Sequence, residues 1–163
     1  MHNTPAPEDL HAPHRPPRLH HIFQKHRPFY FITFNTRNRQ PLLAHPDLHD
    51  ALIHFSRRAL DRGIAVGRYV IMPDHIHLFL VLPPDALTLA SWVQSLKSVL
   101  GKTLLTLGHP KPHWQESFFD HLLRNGESYS EKWDYVRQNP VRANLVPDPD
   151  AWPYQGEIHP IQF

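Results

Sequence analysis

Two histidines two residues apart, His75 and His77, and a tyrosine four residues before an asparagine, Tyr135 and Asn139, are the residues whose types and spacing could do chemistry. The histidines open the second half of an apolar run, Tyr69-Val-Ile-Met-Pro-Asp-His-Ile-His-Leu-Phe-Leu-Val-Leu-Pro83. The run reads as two strands joined at Met72-Pro73-Asp74. Strand side chains alternate between faces, so His75 and His77 share one face and Ile76 takes the other. A pair of imidazoles on a rigid strand can grip a metal ion. Chance alone would give about 1.4 His-x-His triplets in a chain with 15 histidines among 163 residues, so the triplet by itself is weak. Its setting says more: this is the one such triplet, and polar rings in an apolar run carry a cost unless they are bonded or ligated.

Tyr135 and Asn139 fall in Glu131-Lys-Trp-Asp-Tyr135-Val-Arg-Gln-Asn139-Pro140, four apart and so on one face of a helix. A phenol and a carboxamide facing a two-histidine metal site would make a phosphoryl-transfer centre. The cation would bind a non-bridging phosphate oxygen, the tyrosine oxygen would attack phosphorus, and the Asn139 amide oxygen would be the third protein ligand. A free phenol has a pKa of about 10, so ionising it at pH 7 costs about 4 kcal/mol. A divalent cation and arginines such as Arg137 or Arg142 would reduce that cost. A structural, half-buried tyrosine is the competing reading of Tyr135.

Composition bounds the rest. The chain has 163 residues, 40% hydrophobic and 11% aromatic, with no cysteine. That is enough for one domain with a real core. It excludes disulfides, zinc–thiolate sites and thiol chemistry. No apolar run reaches membrane-spanning length and no secretory h-region opens the chain, so a cytoplasmic protein with no membrane partner is expected. The net charge of +2 is modest, yet residues 10–46 hold Arg15, Arg18, Lys25, Arg27, Arg37 and Arg39 with no acidic residue. Such an arm suits phosphates, although a solvated tail would look the same.

The elements that must position the site follow in order. Residues 1–27, rich in Pro and His, read as a flexible extension. An aromatic and β-branched strand is predicted over 29–36, and a helix over 47–62 behind Pro46 and before Gly63. His45 and His49 are read as surface residues. Strands are predicted over 65–72 and 75–82, then a helix over 88–107 capped by Thr88. Gly101-Lys102-Thr103 imitates a phosphate loop but lies inside the apolar stripe of that helix, and Leu96 stands where the loop's first glycine belongs. No nucleotide cofactor is expected. A fourth strand is predicted over 114–123 and a third helix over 127–139, anchored by Tyr129, Trp133 and Val136 and stopped at Asn139-Pro140. Residues 28–146 then form the catalytic domain and 147–163 a C-terminal strap. This order implies an α+β fold: a ferredoxin-like split βαβ unit with a four-stranded antiparallel sheet, helices on one face and an extra C-terminal catalytic helix. RNA-binding modules share the layout, so fold alone does not decide function.

Pro73-Asp-His75-Ile-His77-Leu resembles the histidine-hydrophobic-histidine motif of the single-tyrosine HUH transposases. Trp114-Gln115, Asp120-His121, Arg124 and Asp134-Tyr135-Val136-x-x-Asn139-Pro140-Val141 resemble the signature of their REP-associated tyrosine transposase branch. The likeness runs from about Phe29 to Trp152. It implies His75 and His77 as metal ligands, Tyr135 as nucleophile and Asn139 as third ligand, with Gln138 the alternative. It implies Mg²⁺ or Mn²⁺, and the donor set leans toward Mn²⁺. The implied activity is endonucleolytic cleavage and rejoining of single-stranded DNA near palindromic hairpins, through a 5′-phosphotyrosine link, as in DNA transposition and recombination. Arg37, Arg39, Lys102, Arg124, Arg137 and Arg142 are the expected DNA-binding cations. More distant relatives are implied to dimerise, whereas this branch suggests a monomer. The alternatives are a non-catalytic protein that grips structured DNA or RNA on the same fold, and a phosphoesterase with a water nucleophile.

Overall fold

A computed structural model of the chain describes residues 27–162; the expected N-terminal extension, apart from Arg27, lies outside the described residues. Five strands and four α-helices follow in the order β1 (Phe29–Asn35), α1 (Pro46–Ala59), β2 (Ala65–Ile71), β3 (His75–Val81), α2 (Leu89–Thr106), β4 (Phe119–Leu123), α3 (Gly126–Arg137), α4 (Asn139–Arg142) and β5 (Gln155–Glu157). Helix starts follow local capping chemistry. Pro46 opens α1 behind His45, whose Nδ1 accepts from the Asp47 N–H at 3.1 Å. Thr88 caps α2 by accepting from the Ser91 N–H, and Asn125 caps α3 by accepting from the Ser128 N–H.

The sheet runs β4-β1-β3-β2-β5, and every pairing is antiparallel. Its first four strands have the split βαβ order expected. The fifth, at the β2 edge, comes from the C-terminal strap and was not foreseen, because three residues of Gln155-Gly-Glu157 carry no strand signature.

Alternation along β1 and β3 builds two apolar layers. Ile32, Phe34, Ile76, Leu78 and Leu80 face Leu48 and Leu52 of α1 and Trp92, Leu96, Leu100 and Leu104 of α2. Phe29, Phe31, Phe79 and Val81 face the other way, under Tyr129 and Val136 of α3 and Trp152 and Ile161 of the strap. The Trp152 indole N–H donates to the Ile71 carbonyl at 3.0 Å, which fixes the strap over β2. Each large apolar side chain buried in these layers is worth about 1.5–3 kcal/mol.

The strap closes on Gly67. A Cβ there would stand 2.6 Å from Ile161 Cδ1 and 3.0 Å from Tyr129 Oη. Gly67→Ala is therefore expected to cost about 1–3 kcal/mol through overpacking. In an Ile161→Ala background its cost should fall by at least half, because the nearer obstacle is gone. Denaturant unfolding of the four proteins of this cycle measures both numbers.

Three expectations need correction. The strand predicted over 114–123 begins only at Phe119. Trp114 still makes one antiparallel bridge to Thr36, and between it and Phe119 the ladder is interrupted where buried Lys97, 4% exposed, donates from Nζ to the Gln115 and Ser117 carbonyls at 2.9 and 3.4 Å. The helix predicted over 127–139 breaks at Gln138 into α3 and α4. Pro140 has no N–H to donate to Val136 and its ring would crowd that carbonyl; the Gln138 N–H takes the Val136 carbonyl instead. His49 is not a surface residue. It is half-buried, 2.7 Å from the Tyr69 hydroxyl, and burial pushes its pKa down.

Candidate active site

His75 and His77 stand side by side on the sheet face that α3 covers, ring centroids 4.7 Å apart. Each has its Nδ1 engaged. The Asp74 carboxylate Oδ1 lies 2.7 Å from His75 Nδ1. A carboxylate only accepts, so His75 carries its proton on Nδ1 and presents the Nε2 lone pair. The Thr33 hydroxyl lies 2.7 Å from His77 Nδ1, and Phe31 stacks on the same ring at 5.5 Å and 15°. Neither Nε2 has a hydrogen-bond partner among the described residues. Burial pushes both rings down, His77 to about 3, with His75, Arg39, Arg142 and Lys132 adding to the burial effect. At neutral pH both imidazoles are uncharged, the form that ligates metal. This donor set fits a divalent ion: two oriented nitrogens backed by a carboxylate and a hydroxyl. Among the described residues no third His, Asp or Glu joins them.

Asp74 is itself held. Its Oδ2 lies 2.8 Å from Arg39 Nε, and an Arg39 NH1 donates to Asn35 Oδ1 at 2.5 Å. Arg39 reaches back because Asn38 and Arg39 adopt positive φ, 54° and 56°. That conformation costs about 1–2 kcal/mol per residue, a cost the site offsets by tying the loop to Asn35 and Asp74. The Asn35 amide in turn donates to Gln115 Oε1 at 3.3 Å. The chain of contacts thus runs from buried Lys97 through the 115–117 loop to His75. Asp74→Asn keeps an acceptor for His75 Nδ1 but removes the charge that holds Arg39. It is expected to weaken Mn²⁺ binding about 10-fold, measured by calorimetry on the DNA-free protein.

Tyr135 is 65% exposed at the end of α3. It is not the buried structural tyrosine of the competing reading. The Arg142 guanidinium lies over its ring at 4.3 Å, donates to the Tyr135 carbonyl at 2.7 Å and donates to Asn139 Oδ1. Arg142 thereby gathers the phenol and the carboxamide across the break at Gln138. Its charge also reaches His77, as does that of Lys132, which stands 5.2 Å from the Phe31 ring. At 100° per residue Lys132 and Tyr135 lie within about 60° on the helix. Tyr135 thus follows Lys132 on the same side of α3. Asn139 Oδ1 is engaged by Arg142, but an amide oxygen has two lone pairs, so one remains for a cation.

The other expected cations are scattered. Arg39 is committed to Asp74 and Arg137 to Asp150 of the strap. Arg37 and Arg124 are exposed at the ends of β1 and β4, and among the described residues neither pairs with a carboxylate. Lys102 is exposed on α2, which covers the face opposite the histidines. Its neighbour Gly101 is mid-helix with the His113 ring 3.3 Å from where a Cβ would be; the glycine serves packing. Sequence reasoning gave no role to Asp74, Thr33, Lys132 or Asn35. Asp74 alone carried a signal, since a carboxylate beside a ligand histidine is a common backing group.

Comparison with known proteins bears on about three quarters of the chain. The family described as IS200-like transposases matches residues 24–138, which include His75, His77 and Tyr135 and stop one short of Asn139. The chain is 30% identical over 128 residues to the REP-associated tyrosine transposase of Escherichia coli K12, covering 77% of this chain and 73% of that one. It is 30% identical over 107 residues to a putative REP-associated tyrosine transposase of Haemophilus influenzae, covering 55% and 61%. Its fold is similar to the solved structure of a REP-associated tyrosine transposase bound to a REP hairpin, with a TM-score of 0.65 and 29% identity over 78% of this chain and 75% of that one. The chain belongs to the IS200-like transposase family, in its REP-associated tyrosine transposase branch, whose members are enzymes that cut and rejoin DNA.

Proposed function

We propose that the protein is a metal-dependent endonuclease and strand-transferase for single-stranded DNA beside REP-type hairpins, working through a 5′-phosphotyrosine at Tyr135. The observation that carries this reading is the Arg142 contact. One side chain holds the Tyr135 ring and the Asn139 amide while its charge reaches His77. The REP hairpin bound in the similar solved structure supports the choice of substrate.

His75, His77 and the Asn139 amide would hold Mg²⁺ or Mn²⁺, which when bound supplies Lewis-acid stabilisation to a phosphate oxygen. Tyr135 Oη attacks phosphorus, the P–O3′ bond breaks and a P–Oη bond forms. The phenol loses its proton and the departing 3′ oxygen gains one. One ester replaces another, so the exchange needs no ATP. Arg142 puts positive charge beside the attacking oxygen, and Arg39 and Lys132 add to the positive field that draws the phosphate in. Arg37 and Arg124, exposed at the ends of β1 and β4, would track the strand outside the centre. In this reading one chain supplies all these groups and acts as a monomer. No helix among the described residues is long and apolar enough to cross a membrane, in keeping with action in the cytoplasm, where the DNA is.

Labelled hairpin DNA with an unpaired flank, incubated with and without Mn²⁺ and run on a denaturing gel, tests the reading. The expected result is a metal-dependent protein–DNA adduct. Tight binding with no adduct under any divalent metal would instead indicate a binding protein, and multiple turnover without adduct would indicate a water nucleophile.

A further inference from the structure

The histidine face continues past the histidines toward the open edge of the sheet. In register across the strands, His77 of β3 lies opposite Thr33 of β1, and Thr33 lies opposite Phe119 of β4. Directly opposed residues share a face. Phe119 therefore stands on the histidine face, about two strand spacings or roughly 10 Å from His77. In the neighbouring row Phe31 lies between Phe79 and His121, and Lys132 of α3 stands over that row.

β4 is an edge strand, and four of its five residues are exposed. Phe119 is 57% exposed. None of the ring contacts among the described residues involves it, and it belongs to neither apolar layer. Leu123, on the same face, is covered. The cover supplied by α3 and the strap thus stops short of Phe119, leaving an open ring beside the proposed chemistry. Leu122, 50% exposed, points to the opposite face and has no such neighbourhood.

We infer that Phe119, with His121 beside it, is a stacking platform for an unpaired nucleobase of a nucleotide flanking the phosphate held at the histidine site. Every base has a π face, so an exposed ring accepts it with little sequence demand. Lys132, the cation over the adjoining row, is placed for a neighbouring phosphate of the same strand. The inference rests on the reading of single-stranded DNA as substrate and names where that strand runs: out along the face of β1 and β4.

The test uses the full chain with EDTA, so that no cleavage occurs. Hairpin oligonucleotides carry 2-aminopurine at successive unpaired flanking positions. One position is expected to change fluorescence on binding, and an abasic site there to weaken binding. Phe119→Ala should remove the signal and weaken binding about 10-fold. Phe119→Trp should restore binding, and Leu122→Ala should change neither. Wild-type affinity and an unaltered signal in Phe119→Ala would overturn the proposal, as would equal losses in Leu122→Ala. Adduct formation is read separately with Mn²⁺. A stacking signal without any adduct would leave the platform standing and remove the transferase reading; an adduct without the signal would do the reverse.

Discussion

Tyr135→Phe is expected to eliminate the covalent adduct with hairpin DNA, a loss of at least about 10⁴-fold in cleavage rate, while DNA affinity stays within a few-fold of wild type. The change removes one oxygen from a ring that is 65% exposed, so packing is almost untouched and thermal unfolding should be unchanged. The ring itself stays under the Arg142 guanidinium, whose attraction is to the π face rather than to the hydroxyl. Arg142 therefore keeps its bonds to the Tyr135 carbonyl and the Asn139 amide. What disappears is the only atom in the substitution that can form the P–O bond. A variant with normal binding, normal stability and no adduct would assign the oxygen to chemistry alone. Undiminished adduct yield would take Tyr135 out of the mechanism, and because the fold is undisturbed the result could not be blamed on misfolding.

Part of this centre was legible in the sequence because its signals are local. The shared face of His75 and His77 follows from strand alternation, and the apolar run around them marks the strand. Thr88 and the stripe of α2 fixed that helix because cap and periodicity lie in one stretch. The backing groups were not legible in the same way. Thr33 meets His77 from 44 residues away, through a register that no local pattern encodes. Arg39 reaches Asp74 only because two residues adopt positive φ without a glycine to announce it. Lys97 carries no local signal of burial, yet it is buried and ties down the loop before β4. The break at Gln138 had a signal in Pro140, but spacing alone placed Tyr135 and Asn139 on one continuous helix. Arg142, outside that pattern, is what joins them. Interactions between distant segments are where pattern reading stops, since tertiary packing chooses among locally equal options.

His77→Ala is expected to abolish Mn²⁺ binding measurable by calorimetry without DNA and to lower cleavage about 10³-fold, the rate equivalent of several kcal/mol of charge stabilisation at phosphorus. The argument runs through charge as well as ligand count. Two neutral imidazoles and an amide bring no negative charge to a cation, and Arg39, Lys132 and Arg142 all raise the positive potential at His77. Asp74 offsets part of this from behind His75. Such a site would hold a divalent ion weakly until a phosphate arrives, and the phosphate would in turn be drawn by the same cations. Metal and DNA should therefore bind with positive coupling, each tightening the other by the same factor. In wild type, Mn²⁺ affinity should rise at least about 10-fold when the hairpin is present. In His77→Ala the coupling should vanish, while DNA binding in EDTA remains, because the cations that attract phosphate are intact. Loss of the Phe31–His77 stack will lower stability somewhat, so calorimetry is done well below the unfolding temperature, with Thr33→Ala as a companion that disturbs the ring's partner but leaves both imidazoles. If His77→Ala bound Mn²⁺ as wild type does, with the same gain from DNA, the metal would have to lie elsewhere, and the convergence of sheet and helix around one cation would be lost.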